Sequence, residues 1–187
     1  TVLASMHKKI TPQQIDQTLQ MTHRLNITVQ GNFIFGDAAE TTETAHETLN
    51  YWKKSIYSGG GLNLGFIQPY PGTGMYHHCI NKGIIKDEGD FLENITAWMS
   101  KPINMSNTMT DKEFQRLQRD MFEAARKHHK YVKPLSVIAN NDTKEIHVKC
   151  PYCNAISIYK NYIFNKYAYS PQMICCRNCR MRFYLLP

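Results

Sequence analysis

The sequence predicts an α/β fold with parallel strands, followed by a small β domain stapled by a metal ion. Three observations predict it. Residues 27–36 and 62–70 are short apolar stretches that mix β-branched and aromatic side chains with glycine, as buried strands do. Each follows a segment of helical periodicity across a short connection, and an α-β-α-β succession of that kind lays neighbouring strands parallel, with the loops at their carboxyl ends on one side. Residues 146–187 hold five of the six cysteines, four of them as two CxxC pairs.

The elements follow in order. Thr11-Pro12-Gln13-Gln14 starts a helix: Thr11 can cap, Pro12 suits the first helical position, and Gln14 can reach back. Ile15, Leu19, Thr22 and Leu25 then share a face. The first strand ends in the loop Gly36-Asp37-Ala38-Ala39-Glu40-Thr41. Residues 41–56 place Ala45, Leu49, Trp52 and Ile56 on one stripe, with Glu43 and Glu47 near the positive end. Ser58-Gly59-Gly60-Gly61 precedes the second strand. A phosphate cradle needs the order strand, glycines, helix, so this is a flexible turn.

Pro69-Tyr70-Pro71-Gly72-Thr73-Gly74 closes the second strand, and Met75 to Lys82 forms a short helix ended by Gly83. Residues 87–107 carry little pattern beyond a helical turn within 91–99. Thr110-Asp111-Lys112-Glu113 is a capping box, and Phe114, Leu117, Met121 and Ala124 continue as a stripe. Arg126, Lys127, Lys130 and Lys133 favour that helix's negative end, and Pro134 stops it. The pairs His77-His78 and His128-His129 point apart on their helices and are expected at the surface. The domains expected are 1–133, a linker at 134–145, and 146–187.

Composition sets limits. At 187 residues and 42% apolar, the chain suffices for one domain with or without a small appendage. No run approaches the roughly 20 apolar residues of a membrane span, and no leader pattern opens the chain, so a cytoplasmic protein without membrane contact is expected. The sequence does not begin with methionine and starts inside a pattern, which reads as a piece of a longer protein. The net charge of +7 is uneven: residues 146–187 carry six Lys and Arg and no Asp or Glu. A divalent ion on four thiolates would bring that +6 to about +4.

Cys150-Pro151-Tyr152-Cys153 and Cys176-Arg177-Asn178-Cys179 can present four sulfurs tetrahedrally, which suits Zn²⁺. About 40 residues bury too little apolar surface to fold without such a staple. A rubredoxin-like iron site, an iron-sulfur cluster that also uses Cys175, and disulfides are the alternatives. Tyr152, Tyr159, Tyr162, Phe164, Tyr167, Tyr169, Phe183 and Tyr184 fill the small domain's core or, with the basic residues, face nucleic acid.

With these residues laid out, the first two thirds of the chain resemble the second half of a radical S-adenosylmethionine (SAM) enzyme barrel. Val2-Leu3-Ala4-Ser5-Met6-His7-Lys8-Lys9-Ile10-Thr11 resembles the segment after the fourth strand of that family. Phe33-Ile34-Phe35-Gly36-Asp37-Ala38-Ala39-Glu40-Thr41 resembles the fifth strand and its loop, with Ala38 where the family often has proline. Pro69-Tyr70-Pro71-Gly72-Thr73 resembles the loop after the sixth strand, and Asn104-Met105-Ser106 with the capped helix resembles the trailing segment. The tail from Cys150 separately resembles a zinc ribbon.

The resemblance implies the second half of a partial (βα)₆ barrel, in an oxidoreductase or transferase whose [4Fe-4S] cluster cleaves SAM to start radical chemistry on an unknown substrate. Family members methylate, cyclise, thiolate and rearrange, and a cobalamin domain can precede the barrel. The family's CxxxCxxC cluster loop is absent from this sequence, so the fragment is expected to be inert alone and to have the missing half of its own chain as a partner. In a barrel, polar strand residues face the lumen, which makes Gln30 and Asn32 candidates for the SAM ribose or substrate. By resemblance Gln68, Pro69 and Tyr70 line the adenine side. Gly36 lets backbone approach a ligand or only makes a turn, and Glu40 binds ligand hydroxyls or compensates a helix N-terminus. The competing reading of the chain is a zinc-ribbon adaptor that binds nucleic acid or protein.

Overall fold

The structure, a computed structural model, describes residues 2–56, 60–164 and 171–186. The start of the glycine turn at Ser58 and Gly59, and the aromatics Tyr167 and Tyr169, lie outside the described residues. The elements in chain order are α1 (Val2–Ser5), α2 (Pro12–Arg24), β1 (Val29–Phe35), α3 (Thr42–Ser55), β2 (Gly60–Phe66), α4 (Gly74–Asn81), α5 (Glu88–Glu93), α6 (Ile95–Met99) and α7 (Asp111–His128). There follow β3 (Tyr131–Val132), β4 (Ser136–Asn140), β5 (Thr143–Lys149), β6 (Ile156–Tyr162), β7 (Gln172–Cys175) and β8 (Arg182–Leu185). The fold is mixed α/β, with β1-β2, β3-β8-β7 and β4-β5-β6 as separate sheets, and none of these closes into a barrel.

β1 and β2 run parallel. A Cβ on Gly31 would stand 2.9 Å from Leu62 Cδ2, Asn63 Nδ2 donates to Asn32 Oδ1 at 3.2 Å, and Ile67 N donates to the Phe35 carbonyl at 2.8 Å, so the contacts advance together along both strands. The loops that follow therefore open at one end, and Gly36 sits within 3.6 Å of the Ile67 side chain for a Cβ placed there. β1 alternates as its sequence requires: Gln30, Asn32 and Ile34 are exposed, while burial deepens from Val29 to Phe35 on the opposite face. β2 ends at Phe66, four residues before the apolar run does, because Gln68, Pro69 and Tyr70 already turn the chain.

The chain divides into two compact units, the first comprising Thr1–Pro12, Asn32–Tyr51 and Asn63–Phe122. The helical stripes predicted for α3 and α7 are buried in full: Ala45, Leu49, Trp52 and Ile56, and Phe114, Leu117, Met121 and Ala124. The capping box before α7 is reciprocal, with Thr110 N donating to Glu113 Oε2 at 2.8 Å and Glu113 N to Thr110 Oγ1 at 3.3 Å. Thr73 caps α4, and Gly83, at φ 68°, follows its end. Where the sequence showed little pattern, Asp87 caps α5 and α6 follows at once. Together they deliver Phe91 to a core of Tyr76, Cys79, Ile85 and Met105.

The second unit comprises Gln13–Gly31, Trp52–Leu62 and Glu123–Pro187. Its core is Ile146, Val148, Cys150, Ile174, Cys176, Phe183 and Leu185, with Tyr152, Tyr159, Tyr162 and Phe164 packed against it. These aromatics thus serve the core. Residues 134–145, read as a linker, hold β4 and the first residues of β5, paired antiparallel from Ser136↔His147 to Asn140↔Thr143. Of the histidine pairs, His77 is exposed as expected, while His78, His128 and His129 are partly buried. His78 Nε2 lies 2.8 Å from the Met105 carbonyl, and His128 and His129 meet the Trp52 ring edge-on at 5.6 and 6.2 Å. Burial lowers the pKa of both His128 and His129.

Candidate functional site

Among the described residues there are two candidate arrangements, one in each unit. In the second unit, CxxC turns follow β5 and β7 and share one hydrogen-bond pattern. Cys150 N donates to Ala155 O at 2.9 Å and Cys176 N to Met181 O at 2.9 Å. Asn154 N donates to Cys150 O at 3.0 Å and Arg180 N to Cys176 O at 3.1 Å. Asn154 and Arg180 take the same left-handed turn, at φ 61° and 62°, which few non-glycine residues adopt. In each turn the amide two residues past the first cysteine points at its sulfur: Tyr152 N to Cys150 Sγ at 3.4 Å, and Asn178 N to Cys176 Sγ at 3.3 Å.

The turns bring the four sulfurs within 4.8 Å of one another, with Cys150–Cys179 at 3.6 Å and Cys153–Cys176 at 3.7 Å. A tetrahedron with metal–sulfur bonds of about 2.3 Å has an edge of about 3.8 Å, so the cage has the size of a single tetrathiolate ion. Disulfides need about 2.05 Å, and all six cysteines are free. Thiolates of an iron-sulfur cluster bind different irons and stand further apart than these do. Burial raises the thiol pKa of Cys150 and Cys179, while the Ala155 amide and the Asn178 side chain bring that of Cys153 down to about 6. A cation held by the four sulfurs would supply the charge that keeps all of them deprotonated.

Cys175 stays out of the cage. Its sulfur lies 3.0 Å from Thr28 Oγ1 and 3.1 Å from the Arg180 carbonyl, so it locks the second turn to the segment before β1. Ser157 was not singled out from the sequence: its hydroxyl sits 3.9 Å from Cys176 Sγ and accepts from Arg177 N at 3.2 Å.

In the first unit the candidate site is the rim after β1 and β2. Gly36 turns at φ 95° and donates its N–H to Glu40 Oε2 at 2.7 Å. Glu40 is fully buried, and its carbonyl accepts from Ser106 Oγ at 2.6 Å and Thr108 Oγ1 at 3.2 Å. Asn107 N adds a bond to the Ala38 carbonyl at 2.9 Å, so the segment before α7 clasps the rim loop. Burial pushes the Glu40 carboxyl up to about 7, against the Gly36 N–H, which lowers it, and with the Asp37 charge, which adds to the rise. Glu40 Oε1 is buried without a partner among the described residues.

Gln68 repeats that feature: Nε2 donates to the Met99 carbonyl at 3.5 Å, while Oε1 is buried without a partner. Pro69 is buried beside it, and Tyr70 projects with 60% of its surface exposed. Gly36, Glu40, Gln68, Pro69 and Tyr70 thus belong to one rim, whereas Gln30 and Asn32 lie along the exposed face of β1. The clasp by Ser106 and Thr108 was missed from the sequence. Its signal was the hydroxyl pair itself, since Ser106 Oγ also takes the N–H groups of Thr108 and Met109 at 3.1 and 3.0 Å.

Among known proteins, the chain is 30% identical over 76 residues to a bacteriochlorophyllide d C-8(2)-methyltransferase of Chlorobaculum tepidum. That stretch is 41% of this chain and spans only 16% of the methyltransferase's length. No family model matches the chain, and no solved structure matches it. Among the described residues no helix is long and apolar enough to cross a membrane.

Proposed function

We propose that this chain is part of a radical SAM enzyme, that the rim after β1 and β2 lines the SAM side of its active site, and that the four cysteines hold one structural zinc ion in a ribbon-like fold. The observation that carries the reading is the rim itself. Two buried acceptor oxygens, on Glu40 and Gln68, are left without donors at the carboxyl ends of parallel strands. That is where open α/β sheets and barrels bind ligands. A buried acceptor without a donor costs about 1–3 kcal/mol. SAM offers an ammonium, ribose hydroxyls and an adenine amino group, any of which would relieve that cost.

The likeness to a methyltransferase supports methyl transfer as the reaction, one of those the radical SAM resemblance implies. A [4Fe-4S] cluster, when bound, supplies the electron that cleaves SAM. This chain's cysteines do not hold it: Cys79 is sealed in a core, where burial pushes its thiol up to about 11, four belong to the cage, and Cys175, at the end of β7, is engaged by Thr28 and the Arg180 carbonyl. In this reading the cluster ligands lie outside the given sequence, and the rest of the barrel is the rim's first partner. Within this chain, Glu40 and Gln68 hold and orient the ligand, and Pro69 and Tyr70 shape the loop.

The test is anaerobic reconstitution of the whole protein with iron and sulfide, followed by SAM and a reductant. Formation of 5′-deoxyadenosine, reduced about tenfold or more by Gln68→Ala, is the expected result. A reconstituted protein that yields no 5′-deoxyadenosine contradicts the reading. Metal analysis of the same preparation should find one zinc per chain beyond the cluster iron.

A further inference from the structure

Charge separates between the two compact units far more sharply than along the chain. The first holds eight Lys and Arg against eleven Asp and Glu, a net of −3; the second holds 14 against four, a net of +10. A divalent ion on the four thiolates, which themselves carry four negative charges, leaves the second unit at about +8. Such an excess is an electrostatic footprint for a polyanion.

The densest part is residues 126–133, where Arg126, Lys127, Lys130 and Lys133 are all exposed. In their midst β3 pairs in parallel with β8, which sets Tyr131 beside Tyr184. The rings stack at 5.0 Å and 20°, and His129 backs Tyr184 at 5.1 Å. Tyr184 N donates to the Lys130 carbonyl and Leu186 N to the Val132 carbonyl, both at 2.8 Å, so the backbone under the ring is fixed. Tyr131 keeps 48% of its surface exposed. A ring supported on one side, with exposed Lys130 and Lys133 one and two residues away in the chain, presents a flat π surface together with cations, the two chemistries that a nucleotide's base and phosphate take up.

We propose that the second unit carries a docking surface for a single-stranded polynucleotide, with the Tyr131 ring as its base-stacking platform and Lys127, Lys130 and Lys133 as phosphate contacts. An acidic peptide would use the charge and leave the ring idle, and an anionic bilayer, whose interface takes up tyrosine rings, is the competitor that the vesicle arm of the test excludes. The proposal rests on charge and ring geometry, and is independent of the SAM reading.

The test is fluorescence anisotropy of a labelled single-stranded oligothymidylate with the metal-loaded protein, between about 50 and 200 mM salt. Binding should weaken steeply with salt, and replacing Lys127, Lys130 and Lys133 together by alanine should lower the log–log slope by about 2, at about 0.7 per phosphate contact. Tyr131→Ala should weaken binding about fivefold or more at constant salt with the slope unchanged, and Tyr131→Phe should bind as the parent does. Circular dichroism melts establish that each variant is folded. Absence of binding at low salt overturns the proposal. So does parental affinity in folded Tyr131→Ala, equal competition by inorganic polyphosphate per charge, or binding of anionic vesicles without the oligonucleotide.

Discussion

Replacing Glu40 by glutamine should change how stability depends on pH, and in a direction opposite to that of most acidic residues. In the fold this carboxyl loses its proton near pH 7, against 4.5 for the ordinary glutamate. An acid whose folded pKa is raised binds more protons folded than unfolded between those values, so stability falls as pH rises from about 4.5 to 7. At about 1.4 kcal/mol per pH unit, the loss comes to about 3 kcal/mol, complete above pH 7 and absent below 4.5. Glutamine keeps an oxygen for the Gly36 N–H, now bound at 2.7 Å, and cannot ionise. Urea unfolding followed by circular dichroism across pH 4.5 to 8 should show parent and variant close at the acid end. The variant should be more stable at pH 8, by up to about 3 kcal/mol less the cost of its own buried amide. An unchanged pH slope in Glu40→Gln would refute the argument, because it would mean that the parent's carboxylate already has a donor.

The remaining predictions concern packing and the metal. Gly31→Ala places a Cβ 2.9 Å from Leu62 Cδ2, the free end of a side chain that can rotate aside, and should change stability in thermal unfolding by less than about 1 kcal/mol, with a different effect in the Leu62→Ala background. Ser106→Ala removes the bond to the Glu40 carbonyl and the acceptor for two backbone N–H groups, and should lower stability by about 1–3 kcal/mol in urea unfolding. Cobalt in place of the native ion should give the strong visible absorption of a tetrahedral tetrathiolate site, weakened in Cys153→Ser. Chelation should unfold the second unit, whose core includes Cys150 and Cys176 themselves.

The cage and the helical stripes were legible in the sequence because both are local. CxxC spacing fixes a turn on its own, and a 3.6-residue period fixes which face of α3 and α7 is buried. Parallel pairing of β1 and β2 was legible for a topological reason, the short connections between alternating elements. β3 and β4 were not. Tyr131–Val132 is too short to show a period, and all five residues of β4 are exposed, so no alternation marks it as a strand. The partnerless oxygen of Glu40 depends on a clasp from Ser106, 66 residues away, which no local pattern announces. The charge separation was partly hidden for the same reason, since residues 13–31 and 52–62 join the tail only in three dimensions.

The most direct measurement is an amide NMR titration of the isotope-labelled whole protein with SAM. The rim reading predicts that the backbone signals of Gly36, Glu40, Gln68 and Tyr70 shift together along one saturable curve, while Cys150 to Ala155 and Cys176 to Met181 stay still. Saturable shifts confined to the cysteine turns, or no shift at the rim at millimolar SAM, would contradict it.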